Sequence, residues 1–146
     1  MLGELNKGQI IGLLTNQVVG RLGCHADDET YIVPINYVYI DDSIYAHSGK
    51  GKKIDMMRKN PKVCFQVDHI ADTFRWESVI LWGTFEELVA EERQQAMQAI
   101  TRRVMLLRDK ASLPSSHGIE PELHNDLIVY RIRITEGSGR FEAHES

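Results

Sequence analysis

The strongest constraint on this chain is a pair of β-rich stretches in its first half, residues 31–40 and 43–47, separated only by Asp41-Asp42. Val33, Pro34, Ile35, Asn36 and Tyr37 lie in the first, and Ser43, Ile44, Tyr45, Ala46 and His47 form the second. β-Branched and aromatic residues at this density favour strands, and a two-residue acidic link suits a tight turn. The second stretch then runs directly into Ser48-Gly49-Lys50-Gly51-Lys52-Lys53. Lysines beside glycines, where a strand gives way to a helix, suit an anionic group such as a phosphate.

The rest of the chain repeats the β theme. Residues 18–26 read as a strand that Asp27-Asp28-Glu29 turns toward residues 31–40, so three strands are expected in a meander. Val63, Phe65 and Val67 alternate with Cys64 and Gln66, as a half-buried strand does. Residues 76–88 form another strand, with Val79, Leu81 and Phe85 on one parity and Gly83 marking a bulge or a close backbone approach. Residues 127–135 form the last, with Ile128, Tyr130, Ile132 and Ile134 facing away from Arg131 and Arg133.

Helices are few. Residues 10–14 read as a short one with Asn6 as its cap, and residues 51–60 as another that stops before Pro61. The single long helix spans residues 90–108. Its stripe of Ala96, Met97, Ile100, Val104 and Leu107 reads as core packing, and its acidic start and basic end suit the helix dipole. Residues 110–126 read as a loop, either a lid, a dimer contact or plain surface. Six strands and few helices favour a mainly β chain, a closed antiparallel barrel with appended helices, and 146 residues fit one domain, 1–146.

Charge and motifs exclude much. A net charge of −4 argues against broad nucleic-acid binding, yet residues 50–62 hold six basic side chains against Asp55 alone. That cluster is either a solvated helix face or a local anion site. No apolar run reaches the roughly 20 residues that cross a bilayer. The first residues lack the basic start and apolar core of a signal peptide, so a cytoplasmic protein is expected. Cys24 and Cys64 make no disulfide framework. The six histidines show no metal-ligand spacing, so no metal is expected. P-loop, Rossmann and nucleophile-elbow motifs are missing.

Asn36, His47 and Ser48 are polar groups on otherwise apolar strands. Each alone reads as a satisfied barrel-rim residue. With Lys52 and Lys53 they make a set that suits a phosphorylated cofactor with a planar ring, which needs cations, polar partners for the ring edge and apolar walls. Spacing alone does not single out flavin.

Several segments together resemble the FMN-binding split-barrel proteins related to pyridoxamine 5'-phosphate oxidase, and within them the nitroimidazole-resistance-like subgroup. The matching segments are Gly20-Arg21-Leu22-Gly23, Val33-Pro34-Ile35-Asn36-Tyr37, Ile44-Tyr45-Ala46-His47-Ser48, Gly51-Lys52-Lys53, Asn60-Pro61-Lys62-Val63-Cys64-Phe65, Trp76-Glu77-Ser78-Val79, Gly83 and Gly139-Arg140. The resemblance implies a six-stranded antiparallel split barrel working as a homodimer, with two FMN sites at the subunit interface. It implies that Val33, Pro34, Ile35 and Asn36 line the ring and ribityl region, that Ala46 and His47 continue that wall, and that Lys52 and Lys53 hold the phosphate. Ser78 and Arg140 match positions that reach the flavin. The C-terminal R-x-H substrate motif of the true oxidases is missing, since three residues separate Arg140 from His144. Vitamin B6 oxidation is therefore not expected.

The expected activity is an FMN-dependent oxidoreductase that reduces a small electron acceptor, such as a nitro compound or a quinone. His47 is either its proton donor or a wall residue. The alternative is a non-catalytic flavin- or heme-binding protein for storage, sensing or sequestration.

Overall fold

The computed structural model describes residues 1–111 and 126–143. The chain forms β1 (Leu2–Glu4), α1 (Lys7–Asn16), β2 (Val19–Ala26), β3 (Glu29–Asn36), β4 (Val38–Ile40), β5 (Ser43–Ser48), α2 (Lys52–Lys59), β6 (Lys62–Asp72), β7 (Arg75–Glu87), α3 (Ala90–Lys110) and β8 (Ile128–Glu142). The expected loop of residues 110–126 falls almost wholly outside the described residues, as does His144.

The strands join into one antiparallel sheet in the order β3-β2-β6-β7-β8-β5-β4, with β1 on the far part of β8. β3 and β4 occupy opposite ends of that order, yet only Tyr37 separates them in the chain. The sheet must therefore curl until its ends meet, which makes a barrel. The ends share no ladder between them. Instead the Tyr37 amide donates to the Val18 carbonyl at 3.2 Å and its hydroxyl donates to the Leu14 carbonyl at 2.7 Å. Its ring meets Phe65 edge-on at 5.0 Å.

This corrects three expectations. The stretch 31–40 is two strands, broken at Tyr37, because one continuous strand cannot belong to both ends of the sheet. The three-strand meander is two hairpins, β2–β3 and β4–β5, at opposite ends. The strand count is eight, since β1 was not anticipated and the expected long strand divides. The last strand also runs on to Glu142, and β7 pairs with it along most of its length, with a register shift at Trp82/Gly83. A Cβ on Gly83 would stand 2.5 Å from the Arg133 carbonyl oxygen.

Alternation decides which side chains enter the barrel. Leu22, Phe65, Val67, Val79, Ile44, Tyr130 and Ile132 are fully or almost fully buried inside it. Burying a side chain such as Phe65 contributes roughly 1.5–3 kcal/mol. Asn6 caps α1 through a capping box with Gln9, which satisfies two helix-end donors at once. α3 lies outside the barrel. Its Ala96, Met97 and Ile100 pack on Val129 and Leu88, a second and smaller core. No helix among the described residues is long and apolar enough to cross a membrane.

Candidate functional site

A cleft of about 540 Å³ opens where the two ends of the sheet meet under α3. Pro34, Ile35 and Asn36 come from the end of β3, Tyr37 and Val38 from the crossing, and Tyr45 and His47 from β5. Lys53 enters from the first turn of α2. Ile100, Arg103, Val104, Leu107 and Arg108 form the α3 wall. Among the described residues the lining holds Lys53, Arg103 and Arg108 but no carboxylate. A mostly apolar cleft with a few convergent cations is the usual form of a small-molecule site that takes an anion.

Local geometry sorts the lysines of α2. Lys52 pairs with Glu29 and lies 5.2 Å from the Tyr31 ring centroid. Lys59 pairs with Asp27 at 2.6 Å, and Arg58 with Glu87 at 2.6 Å. Lys53 makes no ion pair among the described residues and faces the cleft, where its charge also reaches the buried Cys24 thiol. Burial pushes that thiol up, and Lys53 pulls it back in part. The start of α2 has no side-chain cap, and a Cβ on Gly49 or Gly51 would meet only open space. Exposed backbone N–H groups at a helix start, next to a lysine, are arranged to receive an anion.

Two tyrosines fix the polar rim. Burial pushes the Tyr37 hydroxyl well above the usual tyrosine range, against a smaller opposing pull from Arg103. It therefore stays protonated and donates to Leu14. Arg131 bonds the Tyr45 side chain and is itself held by Glu86 at 2.7 Å and Glu92 at 3.0 Å. Tyr45 is thus set against the cleft by a charged network outside it.

The structure divides the residues expected from the sequence. Pro34, Ile35, Asn36, His47 and Lys53 converge on one cleft. Val33 points inward and packs against the barrel core, and Ala46 is 1% exposed within it. Strand alternation turns Val33 and Ala46 away from the face of Pro34 and His47, and Ile35, which shares Val33's parity and is buried in the core, reaches the cleft only at the end of β3. Lys52 lies with Glu29, outside the cleft lining. Ser78 and Arg140 are register partners on β7 and β8. They belong to a polar ladder on the outer sheet face, where Gln66 donates to Ser78 at 3.0 Å and Arg21 to Asp68 at 3.3 Å. Sequence reasoning missed Tyr45, Arg103, Val104, Leu107 and Arg108. The signal was present in α3, where two arginines flank the apolar stripe at helical spacing, but it reads equally as dipole compensation.

The family model described as Pyridoxamine 5'-phosphate oxidase matches residues 6–141. The chain belongs to the pyridoxamine 5'-phosphate oxidase family. A solved FAD-binding protein from Mesorhizobium loti is 32% identical, with 98% of this chain and 99% of that one covered and a TM-score of 0.78. A structure provisionally named as a 5-nitroimidazole antibiotic resistance protein, from Bacteroides thetaiotaomicron, is 21% identical. There 99% of this chain and 92% of that one are covered, with a TM-score of 0.76. An uncharacterized protein of Rhizobium meliloti is 38% identical over 88 residues, which span 60% of this chain and 58% of that protein. The two solved structures share the split-barrel fold of this chain.

Proposed function

We propose that this member of the pyridoxamine 5'-phosphate oxidase family binds a flavin nucleotide in the cleft beneath α3 and serves as an oxidoreductase. The observation that carries this reading is the lining itself: among the described residues, apolar walls from two strands and a helix, three cations and no carboxylate. The name of the Mesorhizobium loti neighbour, a FAD-binding protein, supports flavin as the ligand class.

Lys53 and the free amides at the start of α2 hold the phosphate, through contacts strengthened by charge. Pro34, Ile35 and Val38 shield the ring from water, while Asn36 offers its amide to the ring edge. Lys52 steadies α2 by its pairing with Glu29. When bound, the flavin supplies the electron chemistry. His47, on the cleft wall beside Tyr45, provides a proton to the incoming acceptor or holds the ring in place. Among the described residues the lining offers no nucleophile–base pair, so selectivity rests on the shape and dryness of the cleft. A small electrophile, such as a nitro compound or a quinone, fits such a site.

The working unit in this reading is a homodimer. Val19, Ile32, Ile80 and Trp82 are all exposed on the outer face of the sheet. Ile32, Gly23, Cys64 and Trp82 form one continuous row across four strands. A second copy covering this face also accounts for the ladder of Ser78 and Arg140, which would then approach the cleft as Ser78 and Arg140 of the partner subunit.

The test is stopped-flow reoxidation of the reduced protein by a panel of nitroaromatic and quinone acceptors. Reoxidation faster than that of free reduced flavin supports the oxidoreductase. Rates no faster than free flavin would leave a flavin-binding protein without that activity. A heme spectrum in the purified protein would replace the reading altogether. Unchanged reoxidation in His47→Ala with flavin still bound makes His47 a wall residue.

A further inference from the structure

The side of α3 turned away from the cleft carries a pattern of its own. At about 100° per residue, Arg102, Met105, Leu106 and Asp109 project opposite Ile100, Val104 and Leu107, which face the cleft. With Gln98 and Thr101 they line a groove along the helix. Met105 is 55% exposed and Leu106 58%, so two large apolar side chains stand next to each other in solvent.

Two charges bracket this apolar pair. Arg102 and Asp109 lie on the same face but about 10.5 Å apart along the axis, too far to meet within one helix. Neither has an opposite charge three or four residues away, the spacing at which helical side chains pair. Among the described residues neither side chain joins an ion pair. Asp109 also works against its own helix. It stands in the last turn, where the dipole favours cations such as its neighbours Arg108 and Lys110.

The arrangement is complementary to itself when turned end for end. An axis passing between Met105 and Leu106 leaves Arg102 and Asp109 equally distant from it, about 5 Å to either side. A second α3 laid antiparallel across that axis sets Arg102 against the partner's Asp109 and Met105 against the partner's Leu106. Two-fold symmetry repeats both pairings. Packed helices lie about 8–10 Å apart, a gap that an arginine and an aspartate span together.

We propose that the outer face of α3 is an interaction surface for a second copy of this chain, closed by two Arg102–Asp109 ion pairs around Met105 and Leu106. The contact does not depend on the flavin reading and is separate from the sheet face that carries Ile32 and Trp82. One helix crossing covers less than the roughly 1,200 Å² of a stable interface, so the association is weak and adds to the sheet-face dimer only at high concentration.

Sedimentation equilibrium across a concentration series tests this. From about 10 μM to 1 mM the weight-average mass should rise toward twice its low-concentration value. Arg102→Asp alone, or Asp109→Arg alone, sets like charges against each other across the axis and should hold the mass at its low-concentration value. The double variant Arg102→Asp/Asp109→Arg restores both pairings with the signs exchanged and should recover the rise, which also excludes misfolding and net charge as the cause. A mass that does not rise up to about 1 mM would overturn the proposal. A rise that survives either single reversal, or that the double variant fails to recover, would overturn it too, by showing that another surface associates.

Discussion

Lys52 and Lys53 are adjacent in the chain but face different surroundings: Lys52 is paired with Glu29 over the Tyr31 ring, and Lys53 lines the cleft. One hundred degrees of rotation per helical residue is enough to separate them. Lys53→Ala should therefore weaken FMN by about ten-fold or more, while riboflavin, which lacks the phosphate, changes little. Lys52→Ala, which removes an exposed ion pair, should alter FMN binding by less than about three-fold. Equilibrium titration of the two variants checks this. Equal effects of the two lysines would contradict the assignment.

Glu86 makes the acid limb of stability. Hydrogen bonds from Arg133 and then Arg131 outweigh partial burial and bring its carboxyl down from an ordinary value near 4.5 to about 2. A carboxylate with a lowered pKa contributes stability that is complete above its unfolded value and is lost as pH falls through its folded one. The parent protein should accordingly lose this contribution between about pH 4.5 and 2. Glu86→Gln should be less stable at neutral pH, and the gap should close toward pH 2. Urea midpoints measured across that range report it. A gap that does not vary with pH would remove the ionic account.

Much of the barrel was legible in the sequence because its strands alternate. The inward set of Val63, Phe65, Val67, Val79, Leu81, Tyr130 and Ile132 could be read from period-two patterning alone. The break at Tyr37 could not, since Tyr31 to Ile40 carries one unbroken β signature and only long-range pairing shows that its halves serve opposite ends of the sheet. β1 is three residues long and lies against β8, too short to leave a pattern. In the cleft, Asn36 and His47 were legible as polar groups on apolar strands, and Pro34 through the family resemblance. Val33 and Ala46 came from the family resemblance, and the alternation of their strands turns them toward the barrel core. Arg103 and Arg108 were hidden by a second, equally sound explanation of basic residues late in a helix.

Gly83 marks the register shift between β7 and β8. A methyl group there would press on backbone, the Arg133 carbonyl oxygen at 2.5 Å, and on Ile132 at 2.7 Å. Gly83→Ala should destabilise the protein by about 1–3 kcal/mol, the range of overpacking in a filled interior. Chemical denaturation measures it. An unchanged midpoint would mean that the two strands separate there at little cost.

The outer sheet face predicts association. Trp82 is 42% exposed and Ile32 69% exposed in a single chain, in the same row of the sheet. Sedimentation at micromolar concentration should give a dimer, and Trp82→Glu should shift it toward monomer and weaken flavin binding together. A monomer with full flavin affinity would show that one chain completes the site.

We propose that the cation-lined cleft of this barrel, with no acid among its described lining residues, holds a flavin nucleotide by its phosphate. The most direct measurement is a titration of the flavin-free protein with riboflavin and FMN under identical conditions. The account predicts saturable binding of both, with FMN tighter by about ten-fold or more and that advantage lost in Lys53→Ala. Equal affinity for riboflavin and FMN, or an FMN advantage that survives Lys53→Ala, would contradict it.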